Sequence, residues 1–283
     1  MEGLKNNNMK AIISTTYDDK YLFFLPITTW LWGKLGVDVI CFVPYQEFGT
    51  GDNYHSSRKG WYKSVLINST LIDLGINLKW EVFYCPEHKQ ATYAQCSRLY
   101  AAALDIPEDE ILVTSDIDML MFRLPEMLSN GFSIFGADLV PEKQYPMCYI
   151  SATRQDWRLA FDTTGKTPQQ CLDELLGDID SISMKSDYWA KDQEVCYNMI
   201  FKYGNYSLIN RTNGQNQFAT NRLDRDDSYI LDRLSIDVYD YHANRPGYKE
   251  SNFDKILKII SWYYPQENLD WLVEYRNSYV NLL

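Results

Sequence analysis

Apolar positions in the first half of the chain alternate between two spacings. Ala11 to Thr15, Val37 to Val43, Trp80 to Tyr84 and Ile111 to Thr114 are short β-branched and aromatic runs, the pattern of strands buried on both faces. Between them, Lys20 to Leu35 and Tyr62 to Ile76 place apolar residues three and four apart, and Tyr93 to Leu104 is a short Ala-rich helical stretch. Strand and helix in alternation predict an α/β fold, a mostly parallel sheet with helices on both faces.

The second half is less regular. Phe132 to Val140 and Met147 to Thr153 read as strands, and Gln155 to Asp162, Thr167 to Leu176 and Asp192 to Lys202 as helices. Ser207 to Asn210 and Ile236 to Tyr239 are short strand candidates, and Phe253 to Tyr264 reads as a helix. With no internal repeat and no linker-like tract, the expectation is one domain over residues 1–250, with a helical extension over 251–283 packed on it. The halves of that domain would divide at about 1–122 and 123–250.

Composition narrows the class. Hydrophobic residues at 46% and charged residues at 23% exclude wholesale disorder, and the net charge of −11 argues against a general binder of nucleic acid or anionic membrane. A phosphate-bearing ligand would therefore need a local cation. The longest apolar stretch, Tyr21 to Trp32, contains Pro26 and falls far short of the ~20 residues of a membrane span. Residues 1–10 lack the apolar segment of a signal peptide, so a cytoplasmic protein is expected. The six cysteines form no C-x-x-C pair, which points to reduced, buried thiols. Three N-x-[ST] matches, starting at Asn68, Asn205 and Asn210, read as chance without a secretory route.

Two phosphate-loop look-alikes fail on context. Gly49-Thr50-Gly51 has Tyr54 where a dinucleotide fingerprint needs Gly, and Ala160 to Thr167 follows a helical rather than a strand-like segment.

The chemistry centres on Ile111-Leu-Val-Thr-Ser-Asp116-Ile117-Asp118-Met-Leu-Met-Phe122. A buried strand runs into carboxylates at i and i+2, at the strand end where open α/β sheets bind ligands. Two such oxygens suit Mg²⁺ or Mn²⁺ with a diphosphate completing the shell, although a strand-end turn capping a helix is the plainer alternative. Asp178/Asp180 and Asp224/Asp226 repeat the spacing in polar surroundings and read as solvated loop charges. His55 and His88 sit in loop-like sequence, whereas His242 ends the strand-like Ile236 to Tyr241 and precedes Arg245 and Pro246. An imidazole there suits metal ligation and Arg245 suits phosphate; a hydrogen-bonded loop histidine is the alternative.

These segments resemble the GT-A-fold glycosyltransferases, and among them the family-eight, glycogenin-like group. Tyr93 to Tyr100 is similar to the arginine-bearing helix of that group, Asp116-Ile117-Asp118 to its Asp-x-Asp, Lys191 to Asn198 to its Asp-Gln-Asp helix start, and His242 to Pro246 to its late histidine motif. The late motif departs in having Asn244 for Gly, Arg245 for Lys and Gly247 for Trp, and no Asn-Ser-Gly strand is evident at Tyr149-Ile-Ser-Ala. Enzymes of this look are also encoded by large algal DNA viruses that glycosylate their own capsid proteins, and such an enzyme would act in the host cytoplasm.

The resemblance implies a metal-dependent transfer of a hexose or pentose, such as xylose, from a UDP-sugar to a hydroxyl of a glycan or glycoprotein. Asp116, Asp118 and His242 would hold Mn²⁺ or Mg²⁺, one imidazole among oxygens favouring Mn²⁺. Thr15, Thr16, Tyr17, Arg98, Asp116, Ile117, Asn244 and Arg245 would contact nucleotide or donor sugar. Asp138, Asp187 and Asp192 are the candidate catalytic carboxylates; the helix-start position of Asp192 also suits a cap. Tyr188 and Trp189 are the candidate acceptor platform, because sugar C–H faces stack on rings. A nucleotidyltransferase would instead need a basic Gly-rich loop where Thr15 to Asp19 is acidic, and a non-catalytic sugar-binding protein would have no use for the Asp pair with His242.

Overall fold

The computed structural model describes residues 8–45, 54–86, 89–125, 131–177, 190–212, 221–225 and 230–283. The β-branched runs form the strands β1 (Met9–Ser14), β2 (Asp38–Pro44), β3 (Lys79–Phe83) and β4 (Ile111–Thr114). Further along come β5 (Met119–Met121), β6 (Phe132–Phe135), β7 (Ile150–Thr153), β8 (Tyr206–Ile209), β9 (Arg222–Asp224) and β10 (Asp240–His242). Among the described residues, seven strands form one sheet in the order β3-β2-β1-β4-β7-β6-β8, and β5-β10-β9 form a second. The β1–β2, β2–β3, β1–β4 and β6–β8 pairs are parallel, while β7 runs antiparallel to β4 and β6. The mostly parallel α/β sheet is therefore as expected.

Alternation along the strands builds two cores. Ala11, Ile13, Val39, Cys41 and Val113 point into one, and Ile12, Ile40, Phe42 and Leu112 into the other. The first core is closed by the helices α1 (Asp19–Leu22), α2 (Leu25–Lys34) and α3 (Tyr54–Asp73). The second is closed by α4 (Gln90–Ser97), α5 (Arg154–Ala160), α6 (Pro168–Leu176) and α7 (Lys191–Tyr203). Finally α8 (Glu250–Tyr263) and α9 (Asp270–Val280) return to the first core. Ile256, Ile260, Leu272 and Tyr279 are fully buried there, and the Phe23 and Tyr275 rings stack at 5.3 Å. Burying each such side chain contributes about 1.5–3 kcal/mol.

Several elements differ from expectation. The stretch Lys20 to Leu35 is two helices, because the chain breaks at Phe23-Phe24 and restarts with Pro26 in the first turn of α2, where its missing N–H costs nothing. The strand expected over Phe132 to Val140 ends at Phe135. Gly136 then takes φ +77°, and Ala137–Leu139 turn into a short 3₁₀ helix. Ile236 to Tyr239 is not a strand; pairing begins at Asp240. The strands β5 and β9 have no counterpart in the sequence reading, whereas α8 and α9 both fall in the expected helical extension over 251–283. Thr167, the last residue of one phosphate-loop look-alike, caps α6 in a reciprocal capping box with Gln170. Gly49 to Gly51 and His88 lie outside the described residues, as does the side chain of His55. All six cysteines are unpaired and only Cys85 is not buried. No helix among the described residues is long and apolar enough to cross a membrane.

Candidate active site

From β1 the chain turns outward to β2 on one side, and β4 flanks β1 on the other. Strand order reverses at that point, and a crevice opens beyond the carboxyl ends of the two strands. A cleft of about 310 Å³ lies there. Ser14, Thr15, Thr16 and Asp18 form the wall after β1, and Asp116, Ile117 and Asp118 the wall after β4. The helix α4 contributes Gln95, followed by Arg98, and the start of α7 contributes Asp192 and Gln193. The small sheet brings His242 from β10 and Arg225 from the end of β9, with Arg245 and Tyr21 beside them.

The Asp pair lies in the turn between β4 and β5 rather than on a strand, with Met119 N donating to Asp116 O at 3.2 Å. Both carboxylates still reach the one cleft. The two acids have different partners. Asp116 accepts from Arg98 Nη1, while Arg98 Nη1 also reaches Ser115 O at 2.8 Å and Nη2 reaches Asp192 Oδ2 at 2.9 Å. Arg98 is 4% exposed, so its head group is a buried brace between two carboxylates rather than an open donor contact. Burial works against ionisation of Asp116, but its side chain keeps 37% exposure and the Arg98 charge prevails, holding the carboxyl below the usual range. Asp192 is fully enclosed. Burial, joined by the like charge of Asp116, outweighs Arg98 and pushes it up to about 6.

Asp118 is 4% exposed. Three nitrogens converge on its Oδ2: Arg245 Nε at 3.1 Å, Arg225 Nη1 at 3.4 Å and His242 Nε2 at 3.6 Å. On its other side, His242 Nδ1 stands 3.5 Å from Asp224 Oδ2. Burial would lower the imidazole pKa, but the carboxylates on both edges of the ring raise it to about 9. Asp224 is therefore no solvated loop charge. It ends β9, beside His242 in the parallel ladder.

Asp116, Asp118 and His242 share the cleft wall, and their donor set, two carboxylates and an imidazole, fits an oxygen-preferring divalent cation. As placed, guanidinium groups rest on both carboxylates, and no cluster of three or more acidic, His or Cys groups among the described residues is assembled as a metal shell. Thr15 is buried and its hydroxyl donates to Thr16 O at 3.0 Å; Thr16 Oγ1 in turn accepts from Asp18 N at 3.3 Å. Ile117 is buried, and its carbonyl accepts from Thr28 Oγ1 at 2.5 Å.

Other expected contacts lie away from the cleft wall. Tyr17 packs against the first core. Asn244 is turned inward: its Oδ1 accepts from Tyr241 Oη at 3.0 Å and its Nδ2 donates to Arg225 O at 3.2 Å. Asp138 accepts from Arg211 N, Thr212 N and Thr212 Oγ1 at 3.0, 2.8 and 2.6 Å, which makes it an anchor for the segment after β8. Asp187, Tyr188 and Trp189, together with Asp178, Asp180 and Asp226, lie outside the described residues. Sequence reading passed over Asp18, Tyr21 and Arg225. Tyr21 accepts a hydrogen bond from Arg245 Nη1, and the Arg245 head group lies 4.9 Å from its ring centroid. Its place in α1, directly after the Thr15 to Tyr17 segment, was the available signal.

No family model matches the chain, and no curated protein matches it. Among solved structures, the chain is similar to the galactosyltransferase LgtC in complex with donor and acceptor sugar analogs, at 11% identity and a TM-score of 0.48, covering 93% of this chain and 99% of that one. A second match is the N,N'-diacetylchitobiose deacetylase from Pyrococcus horikoshii, at 13% identity and a TM-score of 0.24, covering 97% of this chain and 76% of that one. Superpositions at that level transfer no residue role.

Proposed function

We propose that this chain is a GT-A-type, metal-dependent glycosyltransferase that moves a hexose or pentose from a UDP-sugar to a hydroxyl of a glycan acceptor in the cytoplasm. The observation that supports it is the convergence of Asp116, Asp118 and His242 with Arg225 and Arg245 in one cleft at the sheet's switch point. Its volume, about 310 Å³, lies within the range of small-molecule pockets. In this reading Asp116, Asp118 and His242 hold Mn²⁺ or Mg²⁺, and the bound cation supplies charge neutralisation for a diphosphate leaving group. Arg245, fixed by Tyr21, presents a second cation to the same phosphates. Thr15 and Thr16 line the side on which a nucleoside would lie. Among the proposed catalytic carboxylates Asp138, Asp187 and Asp192, Asp192 is the one on the described cleft wall, and Tyr188 and Trp189 are assigned to the acceptor side. Residues 1–250 form the catalytic domain, with 251–283 packed upon it.

The test is release of UDP from UDP-hexoses and UDP-xylose in the presence of Mn²⁺. Turnover should cease on chelation and fall by about 100-fold or more in Asp118→Asn. Metal-independent turnover, or an Asp118→Asn enzyme as active as the wild type, overturns the assignment.

A further inference from the structure

Arg225 belongs to none of the sequence segments that resemble the glycosyltransferase motifs, yet it faces the carboxylate at the centre of the cleft. Its Nη1 lies 3.4 Å from Asp118 Oδ2, an oxygen already shared with Arg245 Nε at 3.1 Å and His242 Nε2 at 3.6 Å. Three nitrogen groups on one oxygen exceed the lone-pair sites it offers at good geometry. Of the two arginines, Arg225 makes the longer contact.

Their anchoring also differs. Arg98 is spent on Ser115 O, Asp116 and Asp192, and Arg245 is tied to Tyr21 as well as to Asp118. Arg225 has one side-chain partner among the described residues, Asp118. Its backbone is pinned instead: Asn244 Nδ2 donates to Arg225 O, and Asn244 is itself held by Tyr241 Oη. A fixed main chain carrying a side chain that is 22% exposed and singly bonded leaves the guanidinium as the part free to turn.

We infer that Arg225 is an exchange partner of Asp118, covering that carboxylate in the ligand-free cleft and passing to an anionic diphosphate when a divalent cation takes the carboxylate. The inference rests on the reading of the cleft as a metal and diphosphate site. Its physical basis is charge pairing. A cation arriving at Asp118 displaces a guanidinium into a half-open cleft, where an unpaired charge with reduced solvation is costly. A diphosphate accepts that guanidinium through two parallel N–H···O contacts, a better match than its single contact with Asp118. Metal and anion therefore assist each other, and each alone has to work against the Arg225–Asp118 pair.

Arg225→Met removes the charge at similar length. Mn²⁺ titrated alone and followed by electron paramagnetic resonance should bind several-fold tighter to this variant than to the wild type, because its competitor is gone. UDP titrated calorimetrically with Mn²⁺ present should bind about ten-fold weaker, the loss of a charge-assisted contact. Arg225→Lys should keep part of the UDP affinity. Equal melting temperatures verify the fold, and Arg225→Gln serves the same comparisons if the Met variant is unstable. A purely structural Arg225 would weaken both ligands together, or neither, and either result with a wild type that binds both overturns the exchange alone. A wild type that binds neither Mn²⁺ nor UDP overturns the exchange and the functional reading together.

Discussion

One guanidinium, Arg98, stands between Asp116 and Asp192, and a single positive charge cannot hold two buried acids equally. Asp116, partly open to solvent, is held low. Asp192, enclosed and facing the charge of Asp116, rises to about 6. That ordering has a stability consequence with a definite sign. The folded-state value of Asp192 lies above the ordinary 3.8, so its contribution is fully present below about 3.8 and is lost as pH rises through about 6. Urea unfolding of wild type and Asp192→Asn between about pH 4 and pH 8 isolates it. The stability of the wild type relative to the variant should decline over that window. A difference that stays flat, or grows with pH, would show that Arg98 keeps Asp192 ionised as well. The same pair explains why Arg98 is better regarded as a positioning residue: what it touches is the two carboxylates and two carbonyls, and its effect on a ligand passes through them.

The small sheet β5-β10-β9 depends on a charge buried where strand patterning would forbid one. Asp240 is 0% exposed, with Arg211 Nη2 at 2.8 Å and Arg222 Nε at 3.2 Å. Burial alone would raise its pKa, but the two arginines lower it to about 2. Replacing Asp240 by Asn should cost about 3–5 kcal/mol in urea unfolding at neutral pH, since two enclosed guanidinium groups would lose their common counter-charge. The wild type should lose part of that increment as pH falls from about 3.8 through about 2. A cost below about 1 kcal/mol would show that Arg211 and Arg222 find other partners. This sheet also marks the boundary of what was legible from sequence. β1, β2 and β4 were readable because each is a compact apolar run, and the edge strand β3 by its aromatic and β-branched residues despite Lys79 and Glu81. β5 and β9 have only three residues each, too few to show a period, and the charged Asp240 disguised the start of β10. Asp116, Asp118, His242 and Arg245 stood out by chemistry, and Arg98 through the family resemblance alone. Asp224 and Arg225 did not, because their polar neighbours looked like a loop, and only the pairing of β9 with β10 carries them to His242 and Asp118.

At the scale of the whole molecule, the net charge of −11 contrasts with a cleft where Asp18, Asp116, Asp118 and Asp192 face Arg98, Arg225 and Arg245. Within an acidic protein, the cleft thus holds carboxylates and guanidinium groups in near balance. The rim of that cleft is braced from the far end of the chain. Tyr275 Oη donates to Phe23 O at 3.1 Å, and Tyr279 Oη donates to Asp19 Oδ1 at 2.9 Å, beside Lys63 Nζ at 2.6 Å. Asp19 directly follows Asp18 on the cleft wall, and Lys63 is 7% exposed, so α1, α3 and α9 share one partly buried ion pair. The aromatic excess serves this junction: Phe23, Tyr248, Phe253, Tyr275 and Tyr279 meet in edge and stacked contacts. Residues 251–283 should therefore unfold with the rest of the chain. Calorimetry should give one transition with matching calorimetric and van't Hoff enthalpies. Tyr279→Ala should lower that single transition, at a cost of about 3–5 kcal/mol by analogy with other buried aromatic truncations, without splitting it. Because Asp19 and Lys63 lose their aromatic cover in that variant, UDP affinity measured with Mn²⁺ should weaken in parallel with stability. A separate low-temperature transition, with UDP affinity untouched, would show that the C-terminal helices are an independent unit with no hold on the cleft.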